Sequence, residues 1–408
     1  MRYLLTCAGT AGHINPAIAV ADALKRADPG AEFLFIGSGR ELENRLIPAA
    51  GYSVENISVS GLERSVGLKA LSGHVKTVLR LVKGSRQAAS VLRRFRPDAV
   101  IGTGGYVCFP VLKAAHRRGI PCYIHESNAV PGLTTRLLAD TADRIFTAFP
   151  GVEASYRKPD RVMFMGTPVR GGFSELTQRE ARERLGVGEE RLVVSFWGSL
   201  GASQCNRCTA EAIVLNEKDP KYRLIHATGK DGYGAFRDLL ASLGADPDRL
   251  LHAEVRPYID DMPVVMQAAD LILCRAGAST LAELTATGKP AVLVPSPYVT
   301  DNHQEKNAMQ LVKAGAAVML RESECSGELL YSTVERLLAD DSGLQRMSSC
   351  GHAMGVPDSA ERIADLVMGD LTVRKEGQTH PVHMSRRPGD LYRSPLPVPA
   401  GHGNPRGR

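Results

Sequence analysis

Three side chains in this 408-residue chain stand where chemistry is expected: His13, Glu126 and Glu283, each beside a run of small residues. Ala8-Gly-Thr-Ala-Gly-His13 has so little bulk that a ligand can approach its backbone at Thr10, Ala11 and Gly12. A histidine there suits general-base work at neutral pH, and a hydrogen bond to backbone is its plainer role. Ile101-Gly-Thr-Gly-Gly-Tyr106 repeats the design with Gly104 and Gly105. It lacks the spacing of a dinucleotide fingerprint and the lysine of a P-loop, so neither NAD nor ATP is supported. In His125-Glu-Ser-Asn128, Glu126 is a second candidate acid or base, or a carboxylate that organises its own loop. Trp197-Gly-Ser-Leu-Gly-Ala202 offers Ser199 to a phosphate. The fourth stretch, Leu271 to Glu283, reads as a short strand that breaks at Gly277 into a helix. The unpaired N–H groups of such a helix start, with the positive end of its dipole, suit a phosphate or diphosphate. Glu283 falls where it can accept from a sugar diol; an ordinary helix start capped by Ser279 is the alternative.

These loops need elements to hold them. Short apolar runs at residues 2–8, 31–37, 98–102, 121–125 and 144–147 alternate with helical stretches, the first of them predicted from Pro16 to Lys25. The rhythm resets near residue 165 and resumes with strands predicted at 191–196, 222–227, 250–253, 271–273, 291–294 and 317–320. This is the βαβ pattern of doubly wound parallel sheets, here two Rossmann-like α/β domains facing a cleft. Ligands in such sheets lie beyond the carboxyl ends of the strands, where every glycine-rich loop falls.

Composition narrows the partners. The net charge is +6, but residues 372–408 hold seven basic and two acidic residues, so five of the six excess charges lie there. A nearly neutral body argues against nucleic acid. The segment from 371 to 408, rich in Pro, Gly, His and Arg, has the composition of a disordered tail. No apolar run reaches the roughly 18 residues of a membrane span. The eight cysteines are scattered in apolar stretches, as reduced thiols of a cytoplasm would be. Between Val66 and Phe95, Leu68, Leu71, Val75, Val78, Leu79 and Val82 recur at helical spacing among Lys69, Lys76, Arg80, Lys83 and Arg86. Such a helix packs its stripe on a sheet or lies on an anionic membrane.

Over residues 1 to about 370 the ordered motifs resemble the MurG-type family. These are UDP-N-acetylglucosamine–N-acetylmuramyl-(pentapeptide) pyrophosphoryl-undecaprenol N-acetylglucosamine transferases of the GT-B fold. The resemblance rests on the glycine loops, His125–Asn128, Gly166-Thr-Pro-Val-Arg170, Ile259-Asp-Asp-Met262, Ala278–Glu283, Asp301-Asn-His-Gln304 and Asn307. It implies an acceptor- and membrane-facing domain over 1–164, a donor domain over 165–348, and helices at 349–368 that cross back. It implies that Arg170 and the backbone at Ile259 hold uracil, and that Glu283 holds the ribose. Ser199 and the backbone of Ala278, Ser279, Thr280, Leu281 and Ala282 would hold the diphosphate, and Gln304 and Asn307 the N-acetylglucosamine. Thr10, Ala11 and Gly12, with Asn128, would complete the cleft. His13 and Glu126 are the acid–base candidates, and Gly104, Gly105 and Tyr106 face the acceptor. The implied partners are UDP-N-acetylglucosamine, a lipid-linked muramyl-pentapeptide and the cytoplasmic face of the cell membrane, bound peripherally.

The implied reaction inverts the anomeric carbon through an oxocarbenium-like state, with helix N-termini rather than a metal or cofactor stabilising the leaving diphosphate. The sequence departs from the family where Ala8 and Ala11 stand in place of glycines, and where Trp197 and Leu200 replace a common Gly and Gln. Alternatives are a GT-B transferase for another lipid acceptor, a UDP-sugar epimerase, and a nucleotide-sugar-binding protein without turnover.

Overall fold

The computed structural model describes residues 1–59, 68–173, 175–198 and 201–379, without the side chains of 68–79 and 377–379. Seven parallel strands form the first sheet: β1 (Arg2–Cys7), β2 (Glu32–Gly37), β3 (Val54–Asn56), β4 (Ala99–Gly104), β5 (Cys122–Glu126), β6 (Arg144–Thr147) and β7 (Val162–Phe164), in the order β3-β2-β1-β4-β5-β6-β7. Six form the second: β8 (Leu192–Phe196), β9 (Arg223–Ala227), β10 (Ala253–Arg256), β11 (Leu271–Cys274), β12 (Ala291–Leu293) and β13 (Ala317–Met319), in the order β10-β9-β8-β11-β12-β13. Each sheet reverses its winding once, between β1 and β4 and between β8 and β11. Those are the switch points, where adjacent loops part and leave a crevice. All four glycine-rich stretches follow one of these four strands.

Several boundaries differ from expectation. The first helix, α1, spans Ala11–Ala27 with Pro16 inside it, so His13 lies in a helical first turn. Pro16 merely withholds the N–H that would have met the Gly12 carbonyl. The strand expected at 250–253 lies at Ala253–Arg256, because Leu251 is 82% exposed and contributes nothing to a core. The next helices are α2 (Glu41–Ala49) and α3 (Leu68–Phe95).

The chain leaves the first sheet after Phe164, builds the second unit, and returns through residues 355–358. The helix Asp341–Met354 stays with the second unit: a Cβ on Gly288 would lie 2.2 Å from the His352 ring. The helix Ser359–Thr379 makes the return, and its Ile363, Ala364, Val367 and Leu371 share a core with Tyr3, Leu5, Ile14 and Ile18. Each large aliphatic chain buried there contributes on the order of 1.5–3 kcal/mol. This corrects the tail expected from residue 371, since helix continues to Thr379. Arg374 pairs with Asp143 at 2.5 Å and Lys375 with Asp98 at 3.5 Å, so bases that look like tail composition serve as docking contacts. Residues 380–408 lie outside the described residues.

Candidate active site

Two helix N-termini meet across the crevice. The first turn of α1 follows Thr10, and the first turn of the helix Ala278–Thr287 follows Gly277. Neither carries a side-chain cap, and neither has an acidic residue in its first turn. They are close enough that a Cβ on Gly12 would lie 3.6 Å from Ser279 Oγ. Two positive helix ends left open toward one space repel each other and attract an anion. At the second helix the open donors are the N–H groups of Ala278, Ser279 and Thr280. Leu281 N already donates to Gly277 O at 3.0 Å, and Ala282 N lies within the helical ladder. The diphosphate role expected of Leu281 and Ala282 is therefore corrected. Their side chains, with Ala278 and Thr285, instead line an apolar cavity against Phe149, Thr167 and Val356.

His13 is held firmly. Its Nδ1 lies 2.8 Å from Ala8 O. A carbonyl can only accept, so Nδ1 is the donor, and in the neutral ring Nε2 is then the acceptor. Thr103 Oγ1 donates to His13 O at 2.6 Å. The second glycine loop packs on the imidazole: a Cβ on Gly104 would lie 2.4 Å from His13 Cδ2, and one on Gly105 2.6 Å from Ala8 O. Both glycines also have positive φ, so larger residues are excluded by space and by strain. Tyr106 follows, 46% exposed.

Glu126 is not free for acid–base work, which corrects that expectation. Its Oε1 accepts from Asn128 N and Nδ2, both at 3.0 Å, and its Oε2 from Gly132 N at 3.0 Å and Thr135 Oγ1 at 2.5 Å. Four donors on a buried carboxylate make it the organiser of the β5 loop. Burial pushes the neighbouring His125 pKa below its ordinary value, although Nε2 meets Gly166 O at 2.9 Å.

Asn307 is likewise corrected as a reader of sugar. It is fully buried, and its amide is spent on Ala129 and Asn128. Gln304 keeps the role open: its Oε1 accepts from Ser296 N at 2.9 Å, and Nε2 has no partner among the described residues. The Glu283 carboxylate has no hydrogen-bond partner among the described residues, and burial pushes its pKa up to about 8. Arg170 is exposed on the linker between the units. Gly172, two residues on, packs beside Pro263, which brings the linker next to the turn carrying the buried Ile259. Ser199 and Leu200 lie outside the described residues. Trp197 points inward, its Nε1 donating to Thr209 Oγ1 at 3.0 Å, so that substitution is absorbed by the core.

Models of the glycosyltransferase family 28 N-terminal and C-terminal domains match residues 3–147 and 192–363. The chain belongs to glycosyltransferase family 28. Among relatives in this family is the UDP-N-acetylglucosamine–N-acetylmuramyl-(pentapeptide) pyrophosphoryl-undecaprenol N-acetylglucosamine transferase of Acetivibrio thermocellus. It is 39% identical over 368 residues, covering 90% of this chain and 97% of that protein. The protein of the same name from Alkaliphilus oremlandii is 40% identical over 365 residues, covering 89% and 97%. The crystal structure of Acinetobacter baumannii MurG superposes with a TM-score of 0.71 at 28% identity, covering 90% of this chain and 99% of that one. A UDP-GlcNAc 2-epimerase from Neisseria meningitidis reaches a TM-score of 0.63 at 14% identity, covering 90% and 100%, and shares the fold alone.

Glu43, which the sequence reading passed over, also reaches this crevice. It lies on α2, fully buried, and accepts from Gly9 N at 3.0 Å. In sequence it is one of two acids in an ordinary helix first turn, and nothing local marks it out.

Proposed function

We propose that this family 28 transferase moves N-acetylglucosamine from UDP-N-acetylglucosamine to the C4 hydroxyl of undecaprenyl-pyrophosphoryl-MurNAc-pentapeptide, with inversion. The observation that carries the reading is the pair of uncapped helix ends facing each other beside an imidazole anchored through Nδ1 to Ala8 O. His13 Nε2 takes the proton from the acceptor hydroxyl as oxygen attacks the anomeric carbon, and the bond to the diphosphate breaks. The charge left on UDP falls to the N–H groups of Ala278, Ser279 and Thr280, to α1 at Ala11 and Gly12, and to Ser199. These dipoles are fixed before the reaction and need no reorientation.

Glu283 accepts from the ribose hydroxyls, Arg170 and the Ile259 backbone hold uracil, and Gln304 reads the acetamido sugar. Thr10 and Asn128 close the donor side, and Gly104, Gly105 and Tyr106 border the acceptor. No helix among the described residues is long and apolar enough to cross a membrane. Leu81 and Val82 are exposed between Arg80 and Lys83 on α3, which supports peripheral contact with an anionic membrane. The epimerase alternative needs paired carboxylates at the sugar, and Glu126 is committed to its loop.

The test is acceptor-dependent UDP release with the lipid-linked muramyl-pentapeptide, for wild type and His13→Ala. Turnover that falls on the order of 10²–10⁴-fold in the variant, with UDP affinity kept, fits a lost general base. Absence of UDP release from wild type sinks the acceptor assignment.

A further inference from the structure

One peptide group, between Ala8 and Gly9, is bound at both ends. Its carbonyl accepts from His13 Nδ1 at 2.8 Å, and its N–H donates to Glu43 Oε1 at 3.0 Å. Resonance couples the two ends of an amide, so an anion at the N–H makes the carbonyl a better acceptor. We propose that Glu43 is a positioning residue for His13, acting through this peptide to keep the proton on Nδ1 and Nε2 bare. The arrangement is a carboxylate–histidine pair with one amide interposed, and it rests on the reading of His13 as the base.

The surroundings leave the relay little freedom. Glu43 Oε2 accepts from Ser38 N at 2.6 Å and Gly39 N at 3.0 Å, while Ser38 Oγ donates to Oε1 at 2.8 Å. Gly37 makes room, since a Cβ there would lie 2.8 Å from Oε2. On the other side, Gly105 packs beside Ala8 O and Gly104 beside the imidazole, with no room for a Cβ at either position. Ala8 N is itself tied to Gly104 O at 3.1 Å. With no acid in the first turn of α1, Glu43 supplies the negative charge behind the loop.

Glu43→Gln separates this role from simple support. A glutamine oxygen keeps its best place opposite the two donors Ser38 N and Gly39 N, which turns its NH₂ toward Gly9 N. The cradle then survives and the relay breaks. The full-length variant would be ¹⁵N-labelled at histidine, with the His13 signals assigned through His13→Gln. The tautomer would be read alongside kcat and KM for UDP-N-acetylglucosamine. A gain of the Nε2–H tautomer, with kcat down by about tenfold or more and KM little changed, supports the relay. An unchanged tautomer overturns it whatever kcat does, because damage to the loop alone would also slow turnover. A shifted tautomer with unchanged kcat upholds the relay and overturns instead the assignment of His13 as base. Glu43→Asp keeps the charge but shortens the reach by one methylene, and it carries the same readouts if the glutamine chain does not fold.

Discussion

Asn307 and Asn128 meet amide to amide between the two units: Asn307 Nδ2 donates to Asn128 Oδ1 at 3.1 Å, while Asn307 Oδ1 accepts from Ala129 N at 2.9 Å. Asn128 in turn donates to Glu126. A line of polar groups therefore runs from the helix carrying Gln304 into the β5 loop. The second unit cannot move far from the first without breaking it.

Asn307→Leu keeps the volume and removes both contacts. It strands the buried Ala129 N–H, which costs about 1–3 kcal/mol. The expected outcome is a lower melting temperature, a larger radius of gyration by small-angle scattering, and a loss in kcat/KM of roughly tenfold, the equivalent of ~1.4 kcal/mol. Unchanged scattering together with unchanged kcat/KM would remove Asn307 from any role in holding the units together.

Glu126→Gln should behave as a stability variant. Its NH₂ must face at least one of four donors, so the β5 loop loosens at a cost of about 1–3 kcal/mol. The pH profile of kcat should keep its shape, because no proton passes through Glu126. A profile that loses one limb in this variant would restore Glu126 as an acid or base.

The proposed ribose contact makes Glu283 a link between UDP binding and protons. Its carboxyl is held up to about 8 by burial, against 4.5 for the free side chain. Ribose hydroxyls donating to it favour the ionised form, so UDP binding near pH 7 should release a proton. Affinity should rise from pH 6 to about 8 and then level. Stability follows the opposite sign. Between 4.5 and about 8 the folded chain holds a proton that the unfolded chain has lost, so this group's contribution is full below 4.5 and is lost as pH rises toward 8. Calorimetric titration in two buffers of different ionisation enthalpy measures the proton, and Glu283→Gln should abolish it. Proton uptake, or release that persists in the variant, would rule the linkage out.

The sheets and the four loops were legible in the sequence because small residues at strand ends are both a local signal and the feature that makes the site. β3 and β7 were not: β3 has one apolar residue in three, and β7 falls where the strand–helix rhythm resets near residue 165. Asn307 misled because an amide that suits a sugar also suits a stranded N–H, and its partner Ala129 lies 178 residues away. Glu126 was read both ways, and the choice needed the positions of Gly132 and Thr135. Glu43 gave no sign, because its target is the backbone of another element and any residue has an N–H.

The return of the helix Ser359–Thr379 to the first sheet also bears on how the polypeptide is made. Tyr3, Leu5, Ile14 and Ile18 emerge early from the ribosome, yet the residues that cover them, Ile363 to Leu371, are nearly the last of the described chain. The second unit is one continuous stretch and can close its sheet as soon as β13 and the helices after it are out. Domains usually mature in order of synthesis. Here the first to be translated is the last to be completed, and its apolar α1 face waits exposed through the synthesis of the whole second unit.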